Sequence, residues 1–120
     1  MPVLDTCILY DFLTGVHEAK EVIDEYPGAM IAAVSRYTIM REAQNLPPLI
    51  QQETMRFLNR FYCIDFSIEV CGTAARLSRN EPNLSDTQVQ VLASAISCGD
   101  VLITRQPIYS TSANRVIKAY

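Results

Sequence analysis

The sequence has little of what several common classes of site require. His17 is the single histidine, so neither a histidine-based catalytic triad nor a histidine-ligated zinc site can be built, and we expect it at the surface. No two of the four cysteines, Cys7, Cys63, Cys71 and Cys98, have the C-x-x-C spacing of a zinc or redox motif. Each lies in an apolar stretch, which predicts reduced, buried cysteines in a cytoplasmic protein.

Positive charge and long hydrophobic runs are also scarce. Ten basic residues stand against thirteen acidic ones, giving a formal net charge of −3. This argues against a protein that coats nucleic acid with a basic face, although not against an enzyme that contacts RNA locally. No signal-peptide pattern and no apolar run near ~18 residues is present, so we expect no membrane span. A length of 120 residues and a hydrophobic content of 49% predict one domain, residues 1–120, around one core.

Short apolar runs alternate with helically spaced segments. Strands are predicted at residues 2–5, 29–35, 61–66, 100–104 and 115–120, and helices at 6–15, 17–26, 35–45, 48–60, 67–79 and 85–99. Ser35 is the predicted N-cap of the third helix. Ser85 and Gln88 form a capping box for the last helix, which Gly99 ends. The alternation predicts an α/β fold, a three-layer α/β/α sandwich around a mostly parallel sheet of four or five strands.

Several polar residues are predicted at one edge of this sheet. Ligands of such sheets bind beyond the carboxyl ends of the strands, where Asp5, Ser35 and Thr104 would lie. Asp5 follows the first strand directly, so it either caps the next helix or belongs to a site. Three arginines, Arg36, Arg41 and Arg105, lie near the same edge, either as ordinary surface residues or as contacts for an RNA phosphate.

Three segments in order, "VLDTCILYDFLTG", "IAAVSRYTIMREAQ" and "QVQVLASAISCGDVLITRQ", resemble the PIN domain, and most closely the VapC-type toxins of toxin–antitoxin pairs. The resemblance extends over nearly the whole chain. It implies a PIN-like fold, a metal-dependent ribonuclease acting on RNA, an antitoxin partner and a homodimer formed through helices. It also implies a cluster of carboxylates holding Mg²⁺ or Mn²⁺, since hard cations prefer oxygen ligands. Such an ion makes a nucleophile of bound water.

The chain departs from the family at most of its carboxylate positions. Asp5 matches the first acid. Thr38, Gln88 and Gln106 stand where the resemblance implies the other three. Three further residues belong to the family pattern around these positions. They are Thr6 after Asp5, Ser35 before Thr38 and Thr104 before Gln106. One carboxylate among neutral residues does not hold Mg²⁺ tightly, but the hydroxyl and amide groups can donate hydrogen bonds to Asp5.

Two hypotheses follow. In the first, the chain is a PIN-like binding module with a degenerate active site and no cofactor. In the second, it is an endoribonuclease dependent on Mg²⁺ or Mn²⁺ in which Asp5, with the displaced acids Glu42 and Asp86, holds the metal. Each displaced acid also has a structural explanation. Asp86 stabilises the first turn of a helix, and Glu42 is solvated or pairs with Arg41.

Overall fold

The structure is a computed structural model and describes residues 1–109 and 115–120. Its strands are Val3–Leu4 (β1), Met30–Ala32 (β2), Tyr62–Ile64 (β3), Leu102–Thr104 (β4) and Val116–Lys118 (β5). Its helices are Thr6–Leu13 (α1), His17–Glu25 (α2), Ala33–Ala43 (α3), Pro48–Leu58 (α4), Ile68–Asn80 (α5) and Asp86–Ser97 (α6).

The strands form one parallel sheet in the order β3-β2-β1-β4-β5. Successive side chains of a strand point to opposite faces, so Leu4 packs in the core cluster that includes residues of α1, α2 and α4. Val3 packs in the second cluster, with residues of α5 and α6. Because helices cover both faces, the three inner strands β1, β2 and β4 are buried on both sides. The predicted three-layer sandwich is confirmed, including the tail strand β5.

The ends of α6 follow the predicted chemistry. The Gln88 backbone N–H donates to Ser85 Oγ at 3.2 Å, and the Ser85 backbone N–H donates to Gln88 Oε1 at 2.8 Å. Gly99 follows the helix with φ +70°, a left-handed conformation that glycine adopts without strain. The capping box therefore uses the Gln88 side chain, at one of the positions where the family resemblance implies a carboxylate.

The prediction that Ser35 caps α3 is wrong. The helix begins two residues earlier, at Ala33, and its N-cap residue Ala32 makes no side-chain hydrogen bond. Apolar periodicity does not divide a short strand from a helix that follows it directly, and Ala33 suits a helix better than a strand. Ser35 consequently lies within α3, fully buried, where its hydroxyl group meets α1.

The cysteine prediction is only partly correct. All four cysteines are free, as predicted, and Cys7 is buried, but Cys71 and Cys98 are exposed. These two residues lie on the outward side of α5 and at the C-cap of α6, so their apolar sequence neighbours do not cover them. His17 is exposed, as predicted, and contacts Glu21 one turn along α2. Within the described residues, no helix has the length and apolar character that crossing a membrane requires.

Candidate functional site at the carboxyl edge of the sheet

Asp5 lies at the end of β1 with 3% of its surface exposed. Its Oδ1 accepts the Thr6 backbone N–H at 2.8 Å, which makes Asp5 the N-cap residue of α1. Its Oδ2 accepts the Thr104 hydroxyl at 2.7 Å and the Cys7 thiol at 3.4 Å. Both carboxylate oxygens are therefore engaged by the protein itself, and the capping role considered from the sequence is present.

Strand pairing explains why these groups meet. β1 and β4 are neighbours in register, with Leu4 opposite Ile103, so Asp5 and Thr104 leave the sheet side by side. The Gln106 backbone N–H donates to Thr104 Oγ1 at 3.0 Å, which fixes the hydroxyl that faces Asp5. These contacts tie the start of α1 to the end of β4.

A second contact at this edge involves α3. Thr6 Oγ1 and Ser35 Oγ lie 2.7 Å apart and share a hydrogen bond. Of the three edge residues predicted from the sequence, Asp5 and Thr104 contact each other directly. Ser35 joins them through the residue that follows Asp5.

Electrostatics keep the groups around Asp5 uncharged. Burial raises the pKa of Asp5, although the hydrogen bonds from Thr104, Thr6 and Cys7 oppose that shift. Burial, together with the Asp5 charge, raises the pKa of Cys7 to about 11, so at neutral pH this residue is a thiol donor and not a thiolate nucleophile. Burial and the Asp5 charge likewise raise the pKa of Tyr109. The Tyr109 hydroxyl is buried and forms no hydrogen bond with another described residue.

The neutral residues at the other three family positions, Thr38, Gln88 and Gln106, form side-chain hydrogen bonds with groups other than Asp5. Gln88 Nε2 donates to Gln106 Oε1 at 3.2 Å, and Thr38 Oγ1 donates to the Val34 carbonyl at 2.8 Å. Within residues 1–109 and 115–120, no hydrogen bond joins these three side chains to Asp5. They surround the site but do not replace a metal at the carboxylate.

The displaced acids lie apart in the structure. Glu42 is exposed and lines a shallow polar cavity of about 280 Å³, together with Thr6, Cys7, Tyr10, Thr38, Ile39 and Gln106. Asp86 is exposed in the first turn of α6, where a carboxylate favours the helix. In the described ranges, no three His, Cys, Asp or Glu side chains are placed to hold one ion, and residues 110–114 contain none of these types. The donor set does not fit a resident Mg²⁺ or Mn²⁺.

A second buried acid, Asp11, was not identified from the sequence. It accepts hydrogen bonds from Arg105 Nε at 2.5 Å, Arg105 Nη2 at 3.2 Å and the Tyr120 hydroxyl at 2.8 Å. Burial opposes ionisation of Asp11, but the hydrogen bonds from Arg105 and Tyr120 and the Arg105 charge outweigh it and lower its pKa. Arg105 therefore forms an ion pair with Asp11. The signal in the sequence was the position of Asp11 inside the apolar run "LYDFL", because a buried carboxylate requires a partner elsewhere in the chain.

An apolar groove adjoins the polar cavity between α1, α3 and α4. It encloses about 320 Å³ and shares Tyr10, Ile39 and Glu42 with that cavity. Its remaining lining residues are Leu13, Thr14, Ala43, Leu46, Ile50 and Thr54. Tyr10 is 47% exposed and Leu46 and Ile50 are each 44% exposed. Exposed apolar side chains of this size make the groove a candidate binding surface.

The fold matches a solved toxin–antitoxin complex and the structures of FitAcB and VapBC2. The chain aligns over 100% of its length, and 98% of the other, with a toxin–antitoxin complex from Klebsiella pneumoniae at 25% identity and a TM-score of 0.91. It aligns with FitAcB from Neisseria gonorrhoeae over 99% and 98% of the two chains (14% identity, TM-score 0.81). VapBC2 from Rickettsia felis, bound to a promoter DNA fragment, aligns over 96% and 95% (14% identity, TM-score 0.81). No family model and no curated protein matches the sequence. The resemblance to VapC-type PIN domains is thus confirmed in the fold of the entire chain.

Proposed function

We propose that this chain is a VapC-like, PIN-fold binding module that pairs with an antitoxin-type protein and has lost most or all nuclease activity. The observation that carries the proposal is the state of Asp5. Its two oxygens accept hydrogen bonds from Thr6, Cys7 and Thr104, and it is 3% exposed. A magnesium ligand needs an accessible oxygen and further carboxylates around it.

The partner is supported by the groove and by the structural neighbours. The neighbour from K. pneumoniae, which aligns with the whole chain at a TM-score of 0.91, is a toxin–antitoxin complex. The groove offers this chain an apolar cleft of about 320 Å³ for the side chains of an amphipathic helix. Glu42 stands where groove and polar cavity meet, and the chain carries a net charge of −3. A partner helix with apolar anchors and one basic residue fits this surface.

The thiols support a cytoplasmic location. Four free cysteines, two of them exposed, favour a reducing environment. We propose the cytoplasm as the compartment on this ground.

The alternative function is an Mg²⁺- or Mn²⁺-dependent endoribonuclease that uses Asp5 with Glu42 and Asp86. Glu42 supports this alternative, because its side chain lines the same cavity as Thr6, which follows Asp5, and Gln106, which is two residues after Thr104. A rearrangement that opened Asp5 to that cavity would bring two carboxylates to one place. Asp86 would still have to leave the first turn of α6 to join them.

Manganese-dependent cleavage of a mixed RNA substrate separates the two functions. The assay compares the wild type with Asp5→Asn, which removes the carboxylate charge but keeps its shape. The proposal predicts no cleavage by either protein above the level of a metal-free reaction. Cleavage by the wild type that disappears in Asp5→Asn would establish the nuclease instead.

A further inference from the structure

The outer edge of β3 is open. β3 (Tyr62–Ile64) lies at one end of the sheet and, within the described residues, pairs only with β2. Its other side therefore presents backbone N–H and C=O groups that have no strand beside them. An extended segment of polypeptide satisfies such a row of donors and acceptors by adding itself to the sheet as a further strand.

The two edge strands of the sheet differ in how well they are protected. Natural edge strands commonly carry lysine or proline, which oppose pairing with another chain. β5 ends with the exposed Lys118, whereas β3 contains neither residue type. β3 begins instead with Tyr62, which is 71% exposed and whose aromatic side chain favours pairing across strands. The edge at β3 is therefore the better suited of the two to accept a further strand.

Exposed apolar side chains continue from β3 into the start of α5. Phe66 is 46% exposed, and Ile68 is 93% exposed, more than any other large apolar residue in the described part of the chain. Ile64 and Val70, on either side of them in sequence, are buried in the core. Tyr62, Phe66 and Ile68 thus contribute little to the core, and they supply the apolar contacts that a bound strand needs besides backbone hydrogen bonds.

Negative charge borders these apolar side chains. Asp65 and Glu69 are both exposed, and neither forms an ion pair with another residue that the structure describes. Around the thiol of Cys63 the charge of Asp65 is opposed by that of Arg36. Glu69 therefore carries the unpaired negative charge at the start of α5. Such a carboxylate beside apolar side chains favours a partner with lysine or arginine at the facing position.

From these observations we propose that the edge of β3 binds an extended, basic segment of a protein other than this chain, by strand addition. The backbone of β3 supplies the hydrogen bonds, Tyr62, Phe66 and Ile68 contact apolar side chains of the segment, and Glu69 faces its lysine or arginine. None of these residues lines the groove between α1, α3 and α4. The two surfaces can therefore bind different ligands.

Fluorescence anisotropy with a labelled model strand tests the proposal. The probe is a blocked peptide of about eight residues in which valine alternates with lysine and threonine. The wild type should bind it with a dissociation constant on the order of 10 μM. One control peptide is N-methylated at its central amides, so it cannot donate backbone hydrogen bonds. A second has glutamate in place of lysine, so it is repelled by Glu69. Each should bind at least about tenfold more weakly.

Variants of the protein place the site. Tyr62→Thr and Ile68→Ser should each weaken binding of the probe by about tenfold, and Glu69→Gln by about threefold, as for an exposed ion pair. Ile117→Thr is the matched control, because it changes a side chain that is 46% exposed on the other edge strand, β5. This control should bind the probe as the wild type does. Circular dichroism should show every variant folded, since all four positions are at the surface.

Four results would overturn the proposal. The first three are no saturable binding of the probe by the wild type, equal binding of the N-methylated peptide, and loss of binding in Ile117→Thr. The fourth comes from sedimentation equilibrium of the wild type and Tyr62→Thr without peptide. Self-association that disappears in Tyr62→Thr would assign the edge of β3 to a second copy of this chain.

Discussion

The carboxyl edge around Asp5 and the groove beside it differ in almost every physical property. Asp5 is buried, and each of its oxygens has a donor from its own chain. The groove is apolar and open, with Tyr10 and Ile50 each nearly half exposed. A buried polar group whose hydrogen bonds are all formed stabilises the fold but has no free donor or acceptor for a ligand. Exposed apolar area, in contrast, contributes favourable free energy only when a partner covers it. The difference supports the proposal that the carboxyl edge has a structural role and that the groove is the binding surface.

Replacing Asp5 by alanine should have the largest effect on this contrast. The change removes an N-cap and leaves the buried Thr104 hydroxyl without its acceptor, so we expect the free energy of unfolding to fall by about 2–4 kcal/mol. Urea denaturation measures it. The matched control, Asp86→Ala, removes an exposed first-turn carboxylate and should cost about 0.5 kcal/mol. An increase in stability for Asp5→Ala would show that the buried acid destabilises the fold and is retained for function. That result would contradict the structural role.

Ile50→Glu in the groove should weaken binding and leave stability nearly unchanged, the opposite of the effect expected for Asp5→Ala. Helical peptides selected by display against the wild type should bind this variant roughly thirtyfold more weakly. The free energy of unfolding should change by no more than about 0.5 kcal/mol, because the side chain is half exposed. Leu49→Glu is the control, since Leu49 is exposed and does not line the groove. Selected peptides that bind both variants as well as the wild type would place the binding surface elsewhere.

The two buried acids should give smaller and opposite effects of pH on stability. The folded-state pKa of Asp5 is raised, so its contribution is fully present below its unfolded value near 3.8 and is lost as the pH rises through the folded pKa. The folded-state pKa of Asp11 is lowered, so its contribution is present above that unfolded value and is lost as the pH falls through the folded pKa.

Urea midpoints between acidic and neutral pH separate these contributions. Asp5→Asn should remove a decrease in stability towards neutral pH, and Asp11→Asn should remove a decrease towards acid. The same pH profile for both variants would mean that the two carboxyl groups share one environment.

Much of the fold could be predicted because its signals are local. The strand-to-helix alternation, the Ser85–Gln88 capping box and the Gly99 terminus all depend on residues within a few positions of each other. The start of α3 could not be placed, since the apolar run of Ala32, Ala33 and Val34 continues from the strand into the helix without a break. The sheet and its helices decide that boundary through packing.

The candidate site was predictable in the residues at the edge of the sheet, Asp5, Ser35 and Thr104, but not in their other partners. Asp5 was placed at the carboxyl edge because parallel strands end together, and the structure places Thr104 beside it. The donor Cys7, the buried Tyr109 and the pair of Asp11 with Arg105 depend on side-chain directions and on contacts between distant residues. The groove depends on how α1, α3 and α4 pack, which periodicity does not fix.

Calorimetric titration with Mn²⁺ tests the central claim most directly, that the carboxyl edge no longer forms a metal site. The titration compares the wild type with the variant Thr38→Glu/Gln106→Asp, which returns two carboxylates to the cavity beside Asp5. The account predicts no binding by the wild type up to millimolar Mn²⁺ and measurable binding by the variant. Micromolar binding by the wild type that disappears in Asp5→Asn would contradict it and would establish a working metal centre.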